Sequence, residues 1–211
     1  MSLRRCFEQV LKLLVAAAVL AAAGCASTGP REEDTGAAAN AGQPEIPPQA
    51  QTLFEQAVSV MAAGDYDEAE LRLKEFLLQY PAYPGAYVDL AIIQAKNGDD
   101  PAAQQSIDAA LALEPDYPAA LNQLGMLRRR EGKFAEAEAA YLKAVTAAPD
   151  YALAHYNLGV LNELYLQHLD AALQHFEAYQ ELVGGDEEVE KWIADLKRRV
   201  TANQRTANVA E

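Results

Sequence analysis

Cysteine is almost absent from this chain. Cys6 and Cys25 are the two in 211 residues, so no disulfide framework beyond a single bridge is possible. Basic charge is scarce as well: 17 Lys and Arg stand against 31 Asp and Glu, a net charge of −14. A phosphate backbone is bound by a basic patch, so this balance argues against nucleic acid as a main partner. It argues equally against simple adsorption to an anionic lipid surface. The apolar run Leu13 to Ala23 holds eleven residues without a charge, whereas a bilayer-spanning helix needs about 20. Glycine (12), proline (10) and aromatics (8%) are too few for a collagen-like chain, and 51% hydrophobic residues, alanine prominent among them, do not fit a disordered one.

What the N-terminus does have is an address. Arg4 and Arg5 precede the run from Leu13, which has the length of a signal-peptide core. The run ends in Leu20-Ala21-Ala22-Ala23-Gly24-Cys25. Small residues immediately before a cysteine resemble the lipobox of bacterial lipoproteins, with Ala22 standing where leucine is commoner. The resemblance implies that residues 1–24 are removed and that Cys25 is acylated and becomes the first residue of the mature chain. One acyl chain binds membranes marginally, whereas several anchor firmly. Ala26, not Asp, follows the cysteine, which in the family's sorting pattern favours the outer membrane, facing the periplasm. The plainer alternative is an ordinary signal peptide cut near Ala23 or a later alanine. Losing Arg4, Arg5 and Lys12 along with Glu8 takes the side-chain charge of the mature chain from −14 to −16. Residues 25–49 are rich in Ala, Gly, Pro, Ser and Thr without a hydrophobic period. They read as a flexible tether with a span of roughly 25–30 Å.

Beyond residue 50, internal repetition decides the fold. Pro81, Pro115 and Pro149 are spaced by 34, as are Gly64, Gly98 and Gly132. Ala69, Ala103, Ala137 and Ala171 form a third column. Leu90-Ala91, Leu124-Gly125 and Leu158-Gly159 form a fourth, with Gln56-Ala57 as a degenerate first copy. Small residues at Ala57, Ala91, Gly125 and Gly159 let two helices approach within a repeat. The glycines suit the left-handed residue after a first helix, and the prolines sit at or past the end of a second helix. Leu53, Tyr87, Leu121, Leu73, Ile107 and Tyr141 supply core volume.

These columns resemble the tetratricopeptide repeat. The best copy is residues 118–151, where Leu121, Leu124-Gly125, Phe134, Ala137, Tyr141, Ala144 and Pro149 fall at the family's positions. The resemblance implies an all-α solenoid over 50–185, with helix-turn-helix repeats at about 50–83, 84–117, 118–151 and 152–185. The fourth copy departs. Its turn, Tyr165 to Leu169, lacks the glycine, and Ala172, Phe176 and Tyr179 run one residue out of phase with Ala171. A one-residue insertion in that turn accounts for both. In 186–200, Val189, Trp192, Ile193, Leu196 and Val200 make one apolar stripe. The opposite faces are polar, as a capping helix requires. Residues 201–211 have no period and are expected to be disordered.

Candidate chemistry is thin. His155, His168 and His175 all fall in the fourth repeat, but no HxxxH or HxxE pair exists, and His168 lies in the turn. A metal-dependent enzyme built on them is the distant alternative. There is no GxSxG and no P-loop. Acidic pairs such as Asp99-Asp100 and Glu187-Glu188 fall at turns or helix starts, where carboxylates favour the helix dipole. The expectation is therefore no catalytic activity, no metal and no cofactor.

What remains is a surface. In the tetratricopeptide repeat family, the first helix of each repeat lines a concave groove that takes peptides or helices. Carried over, the lining is Phe54, Val58 and Met61; Val88, Ile92 and Lys96; Asn122, Met126, Arg129 and Arg130; and Tyr156, Val160 and Glu163. Arg128-Arg129-Arg130 is the one basic cluster of the repeats. It reads a partner's carboxylate or pairs with acids of its own repeat. The carboxylate clamp of chaperone-binding members needs Lys and Asn at positions held here by Val88 and Ile92, so that ligand is not expected. The resemblance implies a lipid-anchored scaffold that assembles other envelope proteins through this groove, with no nucleic acid. Known lipidated members add two narrower readings, a pilotin-like factor for a secretin or type IV pilus and an adaptor for cell-wall hydrolases.

Overall fold

The computed structural model describes residues 47–210, with side chains through residue 205. The expected signal peptide, Cys25 and almost all of the tether lie outside the described residues. Among the described residues nine α-helices follow one another without a strand: α1 (Pro48–Ala62), α2 (Tyr66–Gln79), α3 (Pro84–Lys96), α4 (Asp100–Leu113), α5 (Pro118–Arg130), α6 (Phe134–Ala147), α7 (Ala152–Leu161), α8 (Leu169–Val183) and α9 (Glu187–Ala210). None is long and apolar enough to cross a membrane.

Local signals set the helix ends. Pro48, Pro84 and Pro118 open the first helix of three repeats, where a missing N–H costs nothing. The carboxylates of Asp65 and Asp99 accept the N–H groups of Glu68 (3.2 Å) and Ala102 (3.0 Å) and so cap the second helices of the first two. Gly64, Gly98 and Gly132 close the first helices with φ of +85°, +81° and +76°. The N–H after each glycine reaches back five residues, as in Lys133 to the Arg128 carbonyl at 2.9 Å.

The fourth turn shows how the extra residue is absorbed. Asn162–Leu166 winds as a π-helical turn, and the left-handed place is taken by Gln167 at φ +58°. The His168 N–H then reaches back six residues to the Asn162 carbonyl (2.9 Å). A single inserted residue in a helix is accommodated in this way. Its downstream effect is the phase shift seen in the sequence: Ala172 is fully buried and Ala171 only half so.

Within each repeat one small residue faces one large one. Ala57 and Ala91 share their repeats' cores with Leu73 and Ile107, whereas a methyl group on Gly125 would stand 2.5 Å from the Tyr141 ring and one on Gly159 2.7 Å from the Phe176 ring. Each second helix then packs against the first helix of the next repeat, and α3, α5 and α7 also touch one another. Helices α3, α5 and α7 thus share one side of the solenoid.

The sequence places the cap at 186–200 and a disordered tail after it. The cap is α9, with Val189, Ile193, Leu196 and Val200 buried and its start held by Asp186, whose carboxylate accepts the N–H groups of Glu188 (3.0 Å) and Val189 (3.1 Å). It does not stop at Val200 but continues to Ala210, so the disordered tail is corrected to helix. Residues 201–210 contain no Gly or Pro, and extending a helix already nucleated by packing is cheap. Ile193-Ala194 lies 35 residues after Leu158-Gly159, the repeat length plus the insertion. The cap therefore stands at the register of a first helix, with Ala194 exposed.

Candidate functional site

The first helices carry a periodic stripe. On α3, Gly85, Asp89, Ile92 and Lys96 follow at i, i+4, i+7 and i+11, one helical face. The same positions on α1 are Gln51, Glu55, Val58 and Ala62, and on α5 they are Ala119, Gln123, Met126 and Arg130. Val58 (36% exposed), half-buried Ile92 and Met126 (37% exposed) make an apolar ladder open to solvent.

The remaining sequence-derived lining residues divide. Phe54 is half-buried, its ring against Phe76 (5.6 Å) and Tyr83 (4.8 Å). Met61 packs on the first repeat's core. Val88 (5% exposed) and Asn122 (1%) are buried between helices and do not line the surface. Asn122 accepts a hydrogen bond from Asn157 Nδ2 at 2.9 Å, tying α5 to α7. Tyr156 and Val160 pack into the cluster under the cap, Tyr156 with its ring 6.1 Å from Trp192. Glu163 is paired to Arg199 of α9 at 2.5 Å. The capping helix thus takes up the last quarter of the expected groove, the part lined by the fourth repeat. A solenoid's terminal repeat needs that cover, and the sequence stripe on α9 did not say which groove residues it would occupy.

The cations are mostly committed inside the fold. Lys96 Nζ sits 3.9 Å from the centre of the Tyr66 ring and donates to its hydroxyl (2.6 Å). Arg130 pairs with Asp100 at 2.5 Å and donates to the Ala95 carbonyl at 3.1 Å. The same clamp recurs in the next repeat as Phe134 against Tyr165, ring centres 4.7 Å apart. Arg128 is bound by Glu131 (2.9 Å) and Glu136 (3.1 Å) of its own repeat. Of the basic run, half-buried Arg129 is left without an acidic partner among the described residues. It lies close enough to Tyr141 and Tyr156 for its charge to favour their ionised forms, although burial dominates and pushes Tyr141 up to about 12.

Sequence reasoning missed the opposite edge. Tyr83, Tyr117 and Tyr151 are spaced by 34 and each stands just before a first helix, a column that was legible. Three aromatics come together around Gly85: a methyl group there would make ordinary contact with the Tyr117 hydroxyl (3.5 Å), the Tyr83 ring (3.6 Å) and the Phe54 ring (3.7 Å). Asp89, one turn further along, has no hydrogen-bond or ion-pair partner among the described residues. Burial pushes its carboxyl up to about 6, and its charge in turn helps raise Tyr83 and Tyr117, for both of which burial is the larger cause.

A stability prediction follows from this acid. The folded chain holds the Asp89 proton more tightly than the unfolded chain does. Ionised Asp89 therefore costs stability above about pH 6, and the cost fades as pH falls toward 4. Asp89→Asn is expected to raise stability at pH 7 by about 1–2 kcal/mol, allowing for the water that still reaches the carboxylate, and to give no gain at pH 4. Urea midpoints of the two proteins at both pH values check this, and an equal gain at both would contradict it.

Two of the three histidines meet. His155 Nδ1 and His175 Nδ1 are 3.2 Å apart, and His155 Nε2 lies 3.1 Å from the Pro149 carbonyl. The carbonyl only accepts, so in the neutral pair His155 carries its proton on Nε2 and His175 donates from Nδ1. Burial, then the neighbouring His155, keeps the His175 pKa below the usual range. His168 stands apart as the residue that precedes α8. Among the described residues no group of three or more His, Cys, Asp or Glu converges as a metal site would. A further cleft, lined by Leu53, Leu71, Arg72 and Phe76, lies on the first repeat off this stripe, with Arg72 already paired to Glu68 at 2.7 Å.

Comparison with known proteins adds the following. Two family models, both described as tetratricopeptide repeat, match residues 60–127 and 122–187. No curated protein matches the chain. Solved structures do. PilF of Pseudomonas aeruginosa is 22% identical with a TM-score of 0.64, over 74% of this chain and 72% of that one. MamA of Desulfovibrio magneticus is 20% identical with a TM-score of 0.58, over 77% and 92%. The first tetratricopeptide domain of Spaghetti (RPAP3), bound to the HSP90 peptide SRMEEVD, is 23% identical with a TM-score of 0.50, over 54% and 90%. At these identities the likeness shows the fold alone.

Proposed function

The chain belongs to the tetratricopeptide repeat family, a protein-interaction framework, and from that premise we propose that it is a periplasmic scaffold, held at the outer membrane by lipid on Cys25, that assembles envelope proteins. The observation that supports a docking role is the open ladder of Val58, Ile92 and Met126 at one position in successive repeats. An extended or helical segment with apolar anchors fits such a stripe. The lipobox-like LAAAGC supports the anchor. Neither a pilotin-like role nor an adaptor role for wall hydrolases is favoured by a particular contact, because the fold serves many clients.

The test uses Val58→Glu/Met126→Glu, since both side chains are more than a third exposed and their replacement leaves the core intact. Partners captured from detergent-solubilised envelopes are expected to fall at least tenfold against wild type, with the circular dichroism unchanged. An identical partner set refutes groove docking. Tyr156 is unsuited to this test, because it supports the cap. Fractionation of a Cys25→Ser variant tests the anchor, and retention in the outer membrane would refute it. Loss of secretin multimers on deletion selects the pilotin reading. Intact multimers with altered wall turnover select the adaptor.

A further inference from the structure

Asp89 has no role in the fold that its surroundings explain. It caps no helix, pairs with no cation and accepts no hydrogen bond from the described residues, yet it is half-buried on the stripe that carries Ile92. Its counterparts show what the position does elsewhere. Asn157, two repeats on, donates to Asn122 and ties two helices together. Glu55, one repeat before, is bound by Gln51 Nε2 at 2.9 Å. Asp89 instead lies close enough to Tyr83 and Tyr117 for its charge to act on both, and these two rings and Phe54 come together around Gly85 one turn away. A carboxylate that is partly desolvated and unpaired is costly. It can only accept hydrogen bonds, and among donors a cationic one satisfies it best, because it offsets the charge as well. Aromatic rings beside it favour the same ligand.

We propose that Asp89, with Tyr83 and Tyr117, is the receptor for one basic side chain, Lys or Arg, of the segment that docks on the groove. This deepens the docking reading above and rests on it. The occupant is a protein segment and not a free cation, because the apolar ladder continues from Ile92 on the same face to Val58 and Met126. A small cation would leave that ladder unused. The segment therefore places its basic residue next to an apolar one, the first against Asp89 and the second against Ile92. Arg129 on α5, without an acidic partner among the described residues, adds a charge of the opposite sign one repeat further along. Charge complementarity of this kind selects partners and fixes register.

The experiment pans a display library of random dodecapeptides on the purified full protein, as wild type, Asp89→Asn and Glu181→Gln. The last is an exposed acid on α8 that controls for attraction to the acidic chain as a whole. The wild type and Glu181→Gln are expected to select peptides several-fold enriched in Lys or Arg beside an apolar residue. Asp89→Asn is expected to keep the apolar selection and lose the basic one, and to bind a wild-type-selected peptide about tenfold more weakly or worse. Wild-type pools without basic enrichment overturn the assignment of Asp89 and leave groove docking standing. Enrichment that survives in Asp89→Asn overturns it too. Selection of no peptide at all overturns both readings. Circular dichroism confirms that Asp89→Asn is folded.

Discussion

Gly125→Ala is expected to destabilise the protein by about 2 kcal/mol, although alanine is the better helix former. In an exposed helix that exchange gains about 1 kcal/mol. Here the new methyl carbon would stand 2.5 Å from the ring of Tyr141, which is fully buried and has no room to swing aside. Overpacking of this kind costs about 1–3 kcal/mol and at times more, so the clash wins over the propensity. The remedy is written in the other repeats, where alanine at this position shares a core with Leu73 or Ile107. Tyr141→Leu alone leaves a cavity and is expected to lose about 2–3 kcal/mol. The double variant is expected to recover at least half of the summed losses. Urea unfolding of the four proteins closes the cycle, and strict additivity would show that the two positions do not share one packing constraint.

Phe176→Ala has the larger expected effect, about 3–5 kcal/mol. Its ring is fully buried. It lies over Gly159, in the position where a methyl group would come within 2.7 Å, and meets Trp192 edge-on at 5.7 Å. Through that contact it joins the last repeat to the cap. In a stack of repeats each unit is stabilised by its neighbours, so the loss should concentrate at the C-terminal end. Trp192 is the one tryptophan of the chain and sits in that contact. Its fluorescence is expected to change at lower urea than the far-ultraviolet circular dichroism does. Superimposed transitions would show that α8 and α9 do not loosen separately from the remaining helices.

Much of this was legible in the sequence because its causes are local or periodic. Four columns spaced by 34 give the repeat, and two of them, the prolines and glycines, mark the helix ends. The phase slip between Ala171 and Ala172 gives the inserted residue. The stripe from Val189 to Val200 gives the cap. The end of that helix was less legible, since its extension to Ala210 depends on a nucleus that packing supplies.

The groove was half legible. Periodicity assigns a residue to a helical face but does not say which neighbour reaches over it. Val88 and Asn122 lie at the expected register, and adjacent helices bury them. Lys96, Arg128 and Arg130 look like free cations in a string of letters, yet Tyr66, the Glu131 and Glu136 pair, and Asp100 claim them. Asp89 carried no signal of its own, because being unpaired is a property of surroundings.

The sequence by itself determined the all-α repeat, its length, its turns and its small-to-large packing pairs, since each follows from backbone chemistry and side-chain volume at fixed spacing. Only the tertiary structure decided which charges are spent within the fold and which remain for a partner. Pairing depends on distances between residues some thirty positions apart, and those are set when the repeats stack.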